Sequence, residues 1–283
     1  MKYGRRAHAK INLGLRVYGK QSDGYHQIST VMQRVDLFDS ITAQESDAFS
    51  ISVEGDTIVG ENLITRAASA FFERYPSDRS VRIHVVKRIP VAAGLGGGSS
   101  DAAATLLILR EMFQPSIPLH ALFPIALALG SDVPFFLGPP ACLASGRGEI
   151  LTPVPPLPSG WIVLSTPETR VSTEEVYREF DIRGMPTYSF LDPQELVRDG
   201  RFHLELLKFL GNDLEVITQG IEPLVAELHS VMRRYSDVVM MSGSGPAVFS
   251  IHQERQQADR CADDVSRLCR RTWVVSPITE LEE

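Results

Sequence analysis

Pro90-Val91-Ala92-Ala93-Gly94-Leu95-Gly96-Gly97-Gly98-Ser99-Ser100-Asp101, running straight into Ala102-Ala103-Ala104-Thr105-Leu106-Leu107, is the stretch that decides how this chain folds. Four of the five positions from 94 to 98 are glycine, so the backbone there can take positive φ and approach a ligand without interference from Cβ. Ser99, Ser100 and Asp101 are residue types favoured at a helix N-cap, and the alanine and leucine run behind them is strong helix-forming material. Upstream, Val81-Arg82-Ile83-His84-Val85-Val86 reads as a β-strand. The predicted order is strand, glycine loop, helix N-terminus. Free N–H groups and the positive end of a helix dipole then point at one spot, an arrangement that suits a phosphate chain.

Known nucleotide loops can be tested against it residue by residue. No Gly-Lys-Ser/Thr ending is present, which excludes a Walker-type loop. A GxGxxG pattern begun at Gly94 needs glycine where Ser99 stands, and a GxSxG elbow begun at Gly97 needs glycine where Asp101 stands. An anion-binding loop of another kind is left, beside the plainer reading of a turn only.

Working outward, Ala9, Ile11, Leu13, Leu15 and Val17 alternate with other residues, which predicts a strand with Lys10 and Asn12 on its opposite face. Lys10 sits inside this apolar run and needs a partner. Ser29 to Val35, Ser40 to Ala43 and Phe49 to Val53 add β material. Asn62 to Glu73 reads as a helix, and a further one spans about Leu119 to Leu129. Pro153, Pro155, Pro156 and Pro158 with Ser159-Gly160 mark the best candidate boundary, giving an N-terminal domain over 1–156 and a C-terminal domain over 157–283. In the second, a strand at Trp161–Ser165, a helix at Thr173–Phe180, a helical region from Asn212 to Arg234, strands at Val238–Met241 and Ala247–Ile251, a helix from Gln253 to Arg270 and a strand at Trp273–Val275 suit a split βαβ, ferredoxin-like layer. The fold class is α+β in two domains.

The 283 residues can bury a sizeable core, and 43% hydrophobic with 22% charged residues is ordinary globular composition. A net charge of −7 argues against a nucleic-acid coat. Three cysteines, Cys142, Cys261 and Cys269, make no CxxC pair and predict a reducing compartment. Cys261 falls with Val265 and Leu268 at helical spacing, which predicts a core role. The seven histidines lack metal-ligand spacing, so no metal site in the protein is expected. The chain shows no signal peptide and no apolar run long enough to span a bilayer, so a cytoplasmic protein without membrane association is expected.

The loop resembles the phosphate-binding motif of the kinase superfamily that includes galactokinase, homoserine kinase, mevalonate kinase and phosphomevalonate kinase. Ala7-His8-Ala9-Lys10-Ile11-Asn12-Leu13-Gly14-Leu15, Asp23-Gly24-Tyr25-His26 and Gly130-Ser131-Asp132-Val133-Pro134-Phe135-Phe136 narrow the resemblance. They point to the branch whose acceptor alcohol is 4-diphosphocytidyl-2-C-methyl-D-erythritol. Asn212-Asp213-Leu214-Glu215 and Met241-Ser242-Gly243-Ser244-Gly245-Pro246-Ala247 also fit, so the likeness covers nearly the whole chain. One departure is visible: Gly19-Lys20-Gln21-Ser22 stands where that branch carries an arginine shortly before Asp-Gly-Tyr-His.

The resemblance implies an N-terminal domain like ribosomal protein S5 domain 2, a small-molecule substrate, and ATP as donor with Mg²⁺ bound through the phosphates. It places ATP on Pro90, Val91, Ala92, Ala93, Gly94, Leu95, Gly96, Gly97, Gly98, Ser99 and Ser100, with Asn62 near the adenine. Asp132 is the implied catalytic base, its alternative being a helix cap beside a proline turn. Lys10 is implied to neutralise the developing alkoxide, its alternative being a structural ion pair. Asn12, Tyr25, His26 and Tyr177 are implied to bind the acceptor. Tyr25 offers a ring face to a pyrimidine and His26 a hydrogen bond to the cytosine edge, set against a buried tyrosine and a surface histidine. Tyr177 closes the base from the other side. Asn212 and Glu215 read as helix-capping, and Ser242–Gly245 as a tight hairpin turn.

Overall fold

The computed structural model describes residues 2–22, 24–56, 62–184, 190–198, 201–269 and 271–280. Asp23, the first residue of the Asp-Gly-Tyr-His turn, and Arg270, the expected end of the last helix, lie outside them. The chain divides into two compact units: residues 1–9, 37–91 and 96–139 form the first, and residues 10–36, 92–95 and 140–283 the second.

In chain order the elements are β1 (Lys2–Lys20), β2 (His26–Ser46), β3 (Ser50–Gly55), α1 (Leu63–Arg74), β4 (Ser80–Lys87), α2 (Gly97–Phe113) and α3 (Phe123–Leu129). They continue with β5 (Ala141–Ser145), β6 (Ile150–Pro153), β7 (Trp161–Ser165), α4 (Thr173–Arg183) and the short pair β8 (Val197–Arg198) and β9 (Arg201–Phe202). Last come α5 (Glu215–Ile221), α6 (Leu224–Met232), β10 (Val239–Met241), β11 (Val248–His252), α7 (Arg255–Ser266) and β12 (Thr272–Val275).

In the first unit, β3 pairs parallel with β4, and β4 pairs antiparallel with residues 40–46 of β2. The connection between β3 and β4 is α1. Asn62 starts that helix, its side-chain oxygen accepting from the Ile64 N–H at 2.9 Å. Ile64, Ala67, Ala68 and Phe71 then recur at helical spacing and are buried. On β4 the two-residue period buries Val81, Ile83 and Val85 and carries Lys87 onto the same buried face. Such a lysine requires charged partners, and it has them.

In the second unit, residues 30–33 of β2 pair antiparallel with β5, and β5 with β6. A separate four-stranded sheet runs in the order β10-β11-β7-β12 with every pairing antiparallel. Counting those strands along the chain gives spatial order 2-3-1-4, the ferredoxin-like arrangement. Its core gathers Val163, Val176, Phe180, Leu228, Val239, Val248, Cys261 and Val265.

Three local expectations change. The region from Asn212 to Arg234 is two helices, because Pro223 has no N–H to continue the α5 ladder and starts α6 instead. Leu268 lies past the end of α7 and is exposed, while Cys261 and Val265 are core as expected. The alternation at Ala9–Val17 holds, but both faces are covered: Lys10 and Asn12 are as buried as Ile11 and Leu13.

Candidate active site

In the first unit α2 begins at Gly97, with Gly96 as its N-cap at φ 68° and no side chain capping it. Ser99, Ser100 and Asp101 are therefore inside the helix, not at its cap. The tertiary reason is Asp101. It is 2% exposed, and its Oδ2 lies 2.6 Å from Lys87 Nζ, which also lies 2.5 Å from Asp39 Oδ2. Asp39 uses its other oxygen to accept from the Arg88 and Ile89 N–H groups. One buried lysine thus ties β2, β4 and the glycine helix together. Burial, opposed by Lys87 and reinforced by Asp39, pushes the Asp101 carboxyl up to about 7. Burial works against the Lys87 ammonium, yet the two carboxylates outweigh it and hold that group above its ordinary value.

The first intrahelical bond of α2 is donated by Ser100 N to Gly96 O. The N–H groups of Gly97, Gly98 and Ser99 precede it and carry no partner within the helix. No acidic residue stands in the first turn to oppose an anion. A Cβ on Gly97 would meet Ile89 Cγ2 at 2.9 Å, so this glycine is required by close packing on the β4 side. Pro90 and Val91 belong to the same unit, the Val91 N–H donating to Asp56 Oδ2 at 3.3 Å. Asn62 spends its side-chain oxygen on its own helix cap. Asp132 lies in the turn just before a short 3₁₀ segment of buried Pro134, Phe135, Phe136 and Leu137.

In the second unit the loop residues 92–95 are fastened by backbone. Lys10 N donates to Leu95 O at 2.9 Å, Ala247 N to Ala93 O at 3.2 Å, and Ser242 Oγ to Gly94 O at 2.9 Å. Gly94 has φ 76°, and a Cβ there would collide with the Ser242 carbonyl oxygen, so no other residue fits. Ala92 stands at φ 57°, an unfavourable conformation for a residue with a side chain.

Beside that loop, Lys10 and Asn12 are 4% and 3% exposed. Lys10 Nζ donates to Asn12 Oδ1 at 2.5 Å, Asn12 Nδ2 to Thr30 Oγ1 at 3.0 Å, and Thr30 Oγ1 to Gly14 O at 2.6 Å. The Asn12 N–H reaches Ser242 Oγ at 3.2 Å. The chain of bonds runs in one direction and fixes the Asn12 amide with its oxygen toward the lysine. The Ser242 turn is itself held: Asn212 Nδ2 donates to the carbonyls of Met241 and Gly243, and the Met241 N–H donates to Glu215 Oε2 at 3.1 Å. Asn212 also accepts from Leu214 N, closing the turn before α5, whose N-cap is Leu214 with no side chain capping it, so the capping role expected of Asn212 is not what it does.

The remaining acceptor-side residues gather at the start of β2 and on α4. Tyr25 is 57% exposed, with the Arg147 guanidinium carbon 4.9 Å from its ring centroid. His26 is buried, its ring stacked on Tyr177 at 5.2 Å and edge-on to Phe180 at 5.9 Å. An exposed tyrosine beside a buried histidine reverses the buried-tyrosine, surface-histidine alternative. His26 Nε2 lies 2.7 Å from Asp181 Oδ1, and Lys20 Nζ lies 2.6 Å from Asp181 Oδ2. Lys20, which stands in the space of the missing arginine, therefore has a defined partner.

Sequence reasoning did not reach Asp39, Lys87, Asp101, Thr30 or Asp181. Lys87 had a local signal, since the alternation from Val81 puts it on a buried face. The others depend on residues 14 to 161 positions away.

The GHMP kinases N terminal domain family matches residues 62–138, and the GHMP kinases C terminal family residues 203–271. The chain belongs to the GHMP kinase family. Within it, the chain is 39% identical over 276 residues to a 4-diphosphocytidyl-2-C-methyl-D-erythritol kinase of Alkaliphilus metalliredigens, covering 95% of this chain and 94% of that one. It is 38% identical over 283 residues to the protein of the same name from Geobacillus kaustophilus, covering 97% of both. A crystal structure of 4-(cytidine 5'-diphospho)-2C-methyl-D-erythritol kinase superposes with a TM-score of 0.81 at 35% identity, over 97% of this chain and 99% of that one. The GHMP kinase assignment makes the protein an ATP-using phosphotransferase with a two-domain α+β fold.

Proposed function

We propose that this protein transfers the γ-phosphoryl group of ATP to the 2-hydroxyl of 4-diphosphocytidyl-2-C-methyl-D-erythritol, in non-mevalonate isoprenoid precursor biosynthesis in the cytoplasm. The observation that carries this reading is identity of 35% to 39%, over nearly the full length of both chains, to proteins bearing that enzyme's name. Residues 1–156 are assigned to nucleotide binding and residues 157–283 to the acceptor side. Small molecules are the partners. A net charge of −7 does not suit a nucleic-acid coat, and no helix among the described residues is long and apolar enough to cross a membrane.

Phosphoryl transfer is carried mainly by positioning and by stabilising charge on the transferred group. The N–H groups of Gly97, Gly98 and Ser99, with the positive end of the α2 dipole, bind the phosphates. Asp132 accepts the proton of the acceptor hydroxyl. The Lys10 ammonium balances the negative charge of the alkoxide and phosphates, and Asn12 Oδ1 sets its direction. Tyr25 and Tyr177 hold the cytosine ring, and His26 reads its edge. Among the described residues no group of three His, Cys, Asp or Glu side chains is suited to a metal ion. Mg²⁺ would be held through the phosphate oxygens, where it would neutralise charge.

An ADP-release assay over a panel of alcohols tests this reading. Turnover with the cytidine diphosphate acceptor, and none with homoserine or mevalonate, is expected. Turnover with either of those alcohols in its place makes the protein a different member of the superfamily. ATP binding without ADP release on any acceptor makes it a nucleotide-binding regulatory protein.

A further inference from the structure

The side chains of Asn212 and Glu215, which the transfer chemistry leaves unused, converge on Met241. Asn212 is 1% exposed, and both protons of its amide are committed. Its Nδ2 donates to Met241 O at 2.9 Å and to Gly243 O at 2.7 Å. Its Oδ1 accepts from Leu214 N at 2.9 Å, which fixes the amide from the other side. Glu215 reaches the same strand end from α5. Its Oε2 accepts from the Met241 N–H at 3.1 Å, while Oε1 accepts from Gln219 Nε2 at 3.1 Å and lies 3.2 Å from His229 Nε2. Met241 is thus held at its N–H and at its carbonyl, and the carbonyl two residues on is held as well.

Ser242 lies between those grips. Its hydroxyl donates to Gly94 O at 2.9 Å, and its Oγ accepts from Asn12 N at 3.2 Å. Gly243 follows at φ 58°, where a Cβ would stand 3.3 Å from Asn12 Oδ1, 3.4 Å from Gly94 O and 3.5 Å from Lys10 Nζ. The turn backbone therefore packs directly on the lysine head group and on the loop carbonyl. A shift of backbone that close is passed on to the ammonium, because packed neighbours leave no slack.

Resting on the assignment of Lys10 to phosphoryl transfer, we infer that Asn212 and Glu215 are positioning residues for that step: by gripping the chain on either side of Ser242 they hold the Ser242–Gly243 turn against Lys10, Asn12 and the Gly94 carbonyl. They act through the turn, so their loss alters where the ammonium stands and leaves its charge intact. The step that suffers is the one whose developing charge the ammonium balances. Misplacement of this kind, set up away from the reacting atoms, reaches about a hundredfold in rate.

The test measures kcat, KM for ATP, KM for the cytidine diphosphate acceptor, and melting temperature. The variants are Glu215→Ala, Glu215→Gln, Asn212→Asp, Ser242→Ala and the double variant Glu215→Ala with Ser242→Ala. Assays run well below every melting temperature, so that folded proteins are compared. Glu215→Ala leaves the Met241 N–H without its acceptor, and Asn212→Asp sets an acceptor against two carbonyls. In each, kcat should fall roughly ten- to hundredfold, with both KM values within about threefold of the parent. Burial pushes the Glu215 carboxyl up to about 7, so Glu215→Gln resembles its neutral form and keeps an oxygen for Met241. That variant should recover kcat to within about threefold of the parent. The losses in Glu215→Ala and Ser242→Ala should not multiply in the double variant, since both free the same turn. A lowered melting temperature with unchanged kcat in Glu215→Ala and Asn212→Asp would make both residues supports of the strand and overturn the inference. So would losses that multiply in the double variant, or a Glu215→Gln protein as slow as Glu215→Ala. Lys10→Met checks the underlying assignment separately: kcat near the parent value removes Lys10 from the reaction, and the inference falls with it.

Discussion

The glycine helix of the first unit and the Lys10 strand of the second are both anchored by buried polar groups, but by opposite means. Beneath α2 the anchor is ionic: Lys87 between Asp39 and Asp101, all three almost fully buried. Beside Lys10 it includes a chain of neutral groups, Asn12, Thr30 and the Gly14 carbonyl, with Ser242 on the flank. The difference follows from what each has to do. The α2 anchor holds a glycine-rich segment of poor helix propensity to β2 and β4. Asn12 offers the Lys10 ammonium a neutral oxygen whose direction is fixed by Thr30.

Asp132→Asn gives the largest effect expected. Turnover should drop by roughly 10²–10⁴, the contribution of a positioned base, with nucleotide affinity nearly intact. Near-normal turnover in a folded variant would return Asp132 to a capping role and leave the first unit with phosphate binding alone.

The comparison itself is broken most directly by a pair of variants. Lys87→Met leaves two carboxylates buried without a counter-charge and should cost about 3–5 kcal/mol of stability. Thr30→Val removes one link of the neutral chain and should cost about 1–3 kcal/mol, with a fall in kcat as the Asn12 amide is freed. Equal losses in denaturant unfolding would show that the two anchors do not differ in kind.

Tyr25→Ala should weaken binding of the cytidine acceptor by about 1–3 kcal/mol, the range for base–aromatic stacking, and leave ATP and melting temperature little changed. With its ring 57% exposed, a large stability loss is not expected. Equal weakening of both ligands would take Tyr25 out of base recognition.

The smallest effect concerns pH. The Asp101 carboxyl is raised by burial to about 7 from an ordinary 3.8. A raised carboxyl favours the folded state at low pH, and that contribution is lost as pH rises through the folded value. Glu215, also raised by burial to about 7, acts in the same sense. Melting temperature should therefore decline between about pH 4 and 7, and the decline should be shallower in Asp101→Asn. Parallel curves for the two proteins would mean that Lys87 keeps Asp101 ionised throughout.

Local chemistry made most of the elements legible. Alternation marked β4 and the Ala9–Val17 part of β1, the breaker residues marked the ends, and the glycine run marked a loop before a helix. Where the reading of the glycine helix slipped, a distant partner was responsible. Ser99, Ser100 and Asp101 carry the signature of a cap, yet Asp101 is drawn into the helix interior by Lys87, fourteen residues earlier, and Gly96 takes the N-cap position in their stead.

The sequence alone determined the glycine loop, the Lys10 and Asp132 motifs and the separate strands and helices of the second half, because each is a pattern of residue types within a short span. The tertiary structure alone decided which polar groups meet. That Lys20 and His26 share Asp181, that Ser242 closes on Gly94, and that one lysine serves both Asp39 and Asp101 depend on pairings up to 161 residues apart. A carboxylate reads alike in sequence whether it faces water or a buried ammonium. Its charge, its proton and its function come from the partner that folding places beside it.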